Sequence, residues 1–274
     1  VSSKRDNASN HRHSIDQRVA IITGSTGGVG GAVAEELGRS GYRLLLSGRN
    51  ESRLASLATA FRASGIAVEV EVGPLEGPAD ALRIAAAART LGSPSILVNA
   101  SGMFGPVGTP PTISLDEFVE TFAVNFTGPM TLTLNLLQDM LDQGWGRLIN
   151  VSSAQSLHDP DPIVAAYASS KTALNYATRC VAAGLEGSDV AACVIHPGNL
   201  KTSMWSDIHR RAAVAGEPAA HLQQWARRLQ DDGGDDPRAS ALLVIDIVTR
   251  DATWSNGKFL TIDGGFATHP PVPW

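Results

Sequence analysis

Apolar positions along this chain follow two rhythms. Short, nearly unbroken apolar runs at residues 18–23, 43–47, 67–72, 95–99, 147–152, 189–195 and 258–262 read as strands buried on both faces of a parallel sheet. Between them, spaced apolar positions predict helices from about residue 32, over 52–64, 78–91 and 115–141, along an alanine-rich run ending near Leu185, and over 237–250. Strand and helix alternate throughout, which predicts an α/β fold: one domain over residues 18–265, built as a doubly wound parallel sheet with helices on both faces. Residues 1–17 are polar and aperiodic and are expected to be a disordered tail. Residues 203–236 break the rhythm and are expected to form an insertion over the active site. The proline-rich tail at 266–274 ends in Trp274, is apolar for a segment in water, and is expected to cover a neighbouring subunit.

Charge and composition narrow the classes of function. The 274 residues suit a single sheet with a large core. Lys and Arg number 22 against 27 Asp and Glu, a formal charge of −5, so no basic field is available for nucleic acid or anionic lipid. The longest apolar runs, such as 241–248, are too short to span a membrane. Cys180 and Cys193 lie outside any C-x-x-C pattern and are expected to be buried, reduced thiols of a cytoplasmic protein. No metal site is expected, because His11 and His13 have no partners in the tail that carries them.

Two stretches carry candidate chemistry. Gly24-Ser-Thr26-Gly-Gly28-Val29-Gly30 lies between the first strand and the first helix. Glycines there let the backbone turn tightly and approach a pyrophosphate, while the N–H groups of the following helix face the anion. The second stretch, residues 150–171, reads as strand end, loop and helix. Tyr167 and Lys171 are four residues apart and so share a helical face, close to Ser152 and Ser153 at the strand end. An ammonium beside a phenol favours the phenolate, so the tyrosine pKa is expected to fall from about 10 toward neutrality. Such a group can exchange a proton with an alcohol or ketone near pH 7. Taken alone, Tyr-x-x-x-Lys reads as a surface helical pair, and the rest of the chain must decide.

Thr23-Gly24-x-x-x-Gly28-x-Gly30, Ser153 and Tyr167-x-x-x-Lys171, in this order, resemble the classical short-chain dehydrogenase/reductase family, and the likeness runs over nearly all of residues 19–265. It implies a Rossmann-like fold and an oxidoreductase that moves hydride between NADP(H) and a small-molecule carbonyl or secondary alcohol. By the same resemblance Tyr167 is the general acid/base, Lys171 lowers its pKa and holds the nicotinamide ribose, and Ser153 hydrogen-bonds the substrate oxygen. Ser152 is the lesser alternative, because the interval from Ser153 to Tyr167 is about one residue longer than is common. Asn125 matches the helix asparagine whose backbone carbonyl holds a water linked to the lysine.

For the cofactor, the resemblance implies pyrophosphate contacts at Gly24, Thr26, Gly28, Val29 and Gly30. Gly48 stands where an NAD site would place a carboxylate, and the neighbouring Arg49 suits a 2′-phosphate, which favours NADP(H) over NAD(H). The alternative is a solvated Arg49 with Glu51 on the ribose. Leu75 is expected to pack on the adenine, although the family's Asp near Pro74 is absent. Asn99 and Gly102 belong to Asn99-Ala100-Ser101-Gly102, in place of the usual Asn-Asn-Ala-Gly. Pro197, Gly198, Leu200 and Thr202 are expected at the nicotinamide carboxamide, with Thr202 able to bind carboxamide or phosphate.

Substrate choice is assigned to residues 203–236 and to the loops near Phe104 and His158. Trp205 either meets a hydrophobic substrate or only packs the insertion, and His158, Asp159 and Asp161 are expected to be solvated. A homotetramer or homodimer is implied, through the long helices at Leu115 and Ile163. A non-catalytic NADP-binding sensor and a lyase or isomerase on the same fold are the alternatives. The presence of serine, tyrosine and lysine together weighs against the first, and turnover without added reductant would mark the second.

Overall fold

A computed structural model of the chain describes residues 15–263 and 266–267. Its strands are β1 (Arg18–Thr23), β2 (Arg43–Gly48), β3 (Val68–Val72), β4 (Ser93–Asn99), β5 (Gly146–Val151), β6 (Val190–His196), β7 (Phe259–Thr261) and β8 (Phe266–Ala267). They form one sheet in the order β3-β2-β1-β4-β5-β6-β7-β8, parallel through β7, with β8 antiparallel at the edge. The helices are α1 (Gly28–Arg39), α2 (Glu51–Ala63), α3 (Pro78–Leu91), α4 (Leu115–Phe122), α5 (Gly128–Gln143), α6 (Ala165–Ala183), α7 (Ser203–Ala215), α8 (Ala220–Asp232), α9 (Pro237–Thr249) and α10 (Ala252–Ser255).

Strand side chains alternate between two cores, as a period of two requires. Ala20, Ile22, Leu44, Leu46, Ile96, Val98, Ile149 and Ile195 pack under α1, α2 and α9. Val19, Ile21, Leu45, Leu97, Leu148 and Ala192 pack on the other side, against α3, α5 and the end of α6. The doubly wound sheet expected from the sequence is therefore the fold. Asn50, Ser114 and Asp236 cap α2, α4 and α9 with their side chains.

Buried polar groups tie the layers together. Thr23, Asn99 and Asn150 lie level on neighbouring strands. Asn99 Nδ2 donates to Asn150 Oδ1 at 2.8 Å and to the Pro129 carbonyl at 3.2 Å, and Asn150 Nδ2 donates to Thr178 Oγ1 at 2.9 Å. Arg147, 1% exposed, donates to the carbonyls of Gly146, Asp189, Ile247 and Arg250, so one guanidinium joins β5, β6 and the C-terminal end of α9.

The structure corrects several expectations. Residues 15–17 form a 3-10 turn rather than disordered tail, while the expected tails at 1–14 and 268–274 lie outside the described residues. The single helix expected over 115–141 is α4 and α5 joined by a π-helical turn at Ala123–Thr127. Pro129 carries no N–H to offer the Asn125 carbonyl one turn back, so a regular α-helix cannot run through it. Cys193 is buried but Cys180 is exposed, because it follows Thr172 and Tyr176 on the outward face of α6 at intervals of four. Among the described residues, no helix is long and apolar enough to cross a membrane, and no group of three His, Cys, Asp or Glu is placed to hold a metal.

Candidate active site

The carboxyl ends of the central strands open into a cavity of about 620 Å³. Its floor is glycine backbone. Gly24 takes φ 62°, and a Cβ there would lie 2.7 Å from the Ala100 carbonyl oxygen; one on Gly30 would lie 2.5 Å from the Gly24 carbonyl oxygen. The loops after β1 and β4 therefore meet backbone to backbone, which only glycine permits. α1 begins after an extended Gly27 with no side chain capping its first N–H groups. Gly24, Thr26, Gly28, Val29 and Gly30 all line the cavity. Open helix N–H groups within a concave glycine surface fit a diphosphate. Thr202 closes this end, since its Cγ2 lies 3.0 Å from where a Gly28 Cβ would be.

Arg49 directly follows β2, is exposed, lines the cavity and makes no ion pair among the described residues. Glu51, the first residue of α2, is not among the residues lining the cavity. Leu75 lines it from the loop after β3, held by Arg83, which donates to the Pro74 carbonyl at 2.8 Å. Pro197, Gly198, Leu200 and Thr202 line it from the loop after β6. A dinucleotide with a 2′-phosphate fits this lining.

Two predicted residues stand behind the lining instead of in it. Asn99 is buried in the inter-strand network, and its neighbours Ala100, Ser101 and Gly102 face the cavity. Ser101 supplies its own polar contact, with Thr23 Oγ1 donating to Ser101 Oγ at 3.1 Å. Asn125 sits in the π-helical turn; its Oδ1 accepts from Met103 N at 2.9 Å, and its Nδ2 donates to the Met103 carbonyl at 2.9 Å and to Ser170 Oγ at 3.1 Å. It thereby pins the loop that carries Gly102, where an added Cβ would lie 3.3 Å from Asn125 Oδ1 and 3.6 Å from Lys171 Nζ.

The reactive groups meet where β5 ends. Ser153 leaves the strand extended, caps the short turn 154–156 by accepting from Gln155 N at 3.2 Å, and lies near enough to the Tyr167 phenol to lower its pKa. Ser152 Oγ is buried without a hydrogen-bond partner, so Ser153 is the serine engaged with the tyrosine. Tyr167 lies in the first turn of α6 and Lys171 one turn on. Lys171 Nζ donates to the Val151 carbonyl at 2.9 Å, and burial pushes its pKa down to about 8. Burial also raises the Tyr167 pKa, with Ser153 opposing it. The expected fall toward neutrality is therefore reversed, because desolvation of the buried phenol outweighs the lowering by Ser153. Near pH 7 Tyr167 is a protonated acid.

Further residues line the cavity, and one of them, His196, has no role assigned from sequence. His196 ends β6 and accepts from Ala154 N at 3.3 Å through Nδ1, which steadies the turn beside Ser153; burial lowers its pKa against the pull of Asp235 and Asp263. Phe104, Met204, Ile208, Leu222 and Trp225 line the cavity together with Trp205. The insertion is thus two helices, α7 and α8, whose inward positions 204, 208, 222 and 225 show the helical apolar spacing that marks them in the sequence. His158 is exposed as expected, yet it also lines the cavity, as does His221, whose Nε2 lies 2.8 Å from Asp161 Oδ2.

Comparison with known proteins gives the family and the fold. The model of the short chain dehydrogenase family matches residues 18–213. A short chain dehydrogenase of Pseudocercospora fijiensis is 33% identical over 69% of this chain and 62% of its own length. The 2,3-dihydro-2,3-dihydroxybenzoate dehydrogenase of Bacillus subtilis is 30% identical over 70% of this chain and 75% of its own. Among solved structures, an actinorhodin polyketide ketoreductase with NADPH superposes with a TM-score of 0.81 over 92% of this chain and 98% of its own, at 22% identity, a likeness of fold. With more than half of its length matched by the family model, this chain belongs to the short chain dehydrogenase family.

Proposed function

We propose that the chain is an NADP(H)-dependent oxidoreductase interconverting a ketone and a secondary alcohol. The observation that carries this reading is Ser153 beside the Tyr167 phenol with Lys171 one turn beyond, all lining the same cavity as an uncapped glycine cradle. When bound, NADP(H) supplies or accepts the hydride. Gly24, Thr26, Gly28, Val29 and Gly30 hold its diphosphate, Arg49 pairs with the 2′-phosphate, Leu75 packs on the adenine, and Pro197, Gly198, Leu200 and Thr202 flank the nicotinamide.

The chain's own residues then manage one proton. Ser153 and Tyr167 converge on the substrate oxygen. Tyr167, protonated near pH 7, donates its proton to the oxygen as negative charge grows there, and takes it back in the alcohol-oxidising direction. Lys171 holds the nicotinamide ribose and offsets the charge left on the phenolate. Asn125 fixes the loop behind the lysine and, with its carbonyl relieved of a helical donor by Pro129, accepts a proton-relay water.

The proposed assembly is a homotetramer. Its support is exposed apolar side chains on two helices that pack together, Leu115 at 74% and Val119 at 60% on α4 and Tyr176 at 68% on α6. The proposed setting is cytoplasmic, which suits two free cysteines.

The test is a carbonyl panel followed at the reduced-nicotinamide absorbance, with wild type and Tyr167→Phe compared. The variant is expected to bind NADPH within about threefold of wild type and to lose roughly 10²–10⁴-fold in turnover. Unchanged turnover would assign the proton to another group.

A further inference from the structure

The part of the cavity around the proton donor is apolar and aromatic. The Phe104 and Tyr167 rings lie 4.6 Å apart between centroids, tilted by 33°. Ile208, Leu222, Met204 and Trp225 join them in one apolar cluster and line the cavity as well. The indole N–H of Trp205 donates to the Ala226 carbonyl at 3.2 Å and that of Trp225 to Asn199 Oδ1 at 3.4 Å. Both tryptophans thus satisfy their polar atom within the protein and meet a ligand through carbon faces. Of the polar side chains on this side, His158, Asn199, His221 and Arg228 are solvent-exposed and Gln155 is half-buried; Asn199 is already paired with Trp225 and His221 with Asp161.

Such a wall discriminates. A polyol would bring hydroxyl groups into the apolar region without partners, each at a desolvation cost. A planar ring gains both buried area and favourable ring-to-ring contacts. Resting on the oxidoreductase reading above, we propose that the substrate is a ketone or secondary alcohol borne on an aromatic or fused ring system, and that Trp225 on α8 selects it.

The experiment uses the full chain with saturating NADPH and three probes: 2-tetralone, the acyclic 2-octanone, and erythrulose as a keto-polyol. Wild type is expected to favour 2-tetralone in kcat/KM by about tenfold over 2-octanone and about a hundredfold over erythrulose. Trp225→Ala is expected to bring the tetralone-to-octanone ratio close to one, mainly through KM, while Trp225→Phe keeps most of it. The ratio does not depend on the active fraction, so a variant that folds incompletely still reports. A wild-type preference for 2-octanone or erythrulose, or a ratio unmoved in Trp225→Ala, overturns the ring-substrate proposal and leaves hydride transfer standing. NADPH bound but oxidised by none of the three overturns the hydride-transfer reading, and this proposal with it.

Discussion

Lys171 shows what a single buried charge costs and supplies. Its amine lies 4% exposed on α6, donating to one carbonyl, with a pKa of about 8 against an ordinary 10.5. A lysine whose pKa is lower folded than unfolded destabilises the fold fully below pH 8, where both states carry the proton. Between pH 8 and 10.5 the folded state sheds the proton first, so stability rises with pH across that window. Lys171→Met is therefore expected to stabilise the protein at pH 7 by on the order of 1–2 kcal/mol, a Tm gain of roughly 2–8 °C. The gain should vanish by about pH 10.5, and turnover should be lost; differential scanning calorimetry across pH checks the first two. Arg49 is the matching case at the surface. Arg49→Asp is expected to lower the NADPH-over-NADH preference in kcat/KM by about a hundredfold. The identities and spacing of Ser153, Tyr167 and Lys171 are legible in the sequence, because a four-residue interval on a helix has one geometric meaning. The direction of the tyrosine shift is not, since burial depends on residues far away in the chain, such as Phe104 and Leu222, that close over it.

The π-helical turn between α4 and α5 shows the same limit at the scale of an element. The periodicity of residues 115–141 reads as one helix, and the break hinges on Gly128-Pro129. Pro129 withdraws a donor. Gly128 lets the helix touch the loop after β3 so closely that a Cβ would stand 2.3 Å from the Leu75 carbonyl oxygen. A proline in a helical pattern is a visible signal, whereas that close approach is tertiary. Gly128→Ala is expected to cost about 2–3 kcal/mol and to lower Tm by roughly 5–10 °C. Because the displaced segment carries Leu75, NADPH binding should weaken as well, which fluorescence titration would read. The insertion was legible as an insertion, and its apolar spacing marks two helices; where they dock, held at Asp161 by His221 and at Glu117 by Arg211 with contacts of 2.8 and 2.6 Å, depends on partners in distant segments.

For the whole molecule, the alternation of apolar runs was enough to read the sheet and its two covering layers, since a parallel strand buried on both faces has little freedom of composition. Arg147 is the exception, a charge in mid-core. It stacks at 4.7 Å over the Trp145 ring, whose centroid also lies 4.0 Å from the Arg18 guanidinium carbon, and it satisfies four backbone carbonyls across three elements. Arg147→Ala would remove a buried donor from each of these carbonyls, of which that of Asp189 keeps Gly146 N at 3.3 Å, and is expected to cost about 3–5 kcal/mol, visible in a urea titration as a lower midpoint with an unchanged slope. Sedimentation is the check on assembly, with a tetramer expected and Tyr176→Glu reducing it to smaller species. The two cysteines, finally, turn the fold into its own clock. Cys180 is open to solvent, whereas Cys193 lies at the centre of the sheet with its thiol pKa pushed up to about 12 by burial. A thiol-specific reagent should consume one equivalent per free chain at once and the second only as the sheet opens. The slow phase then measures the lifetime of the closed sheet, and protection of the fast one reports coverage of the outer face of α6.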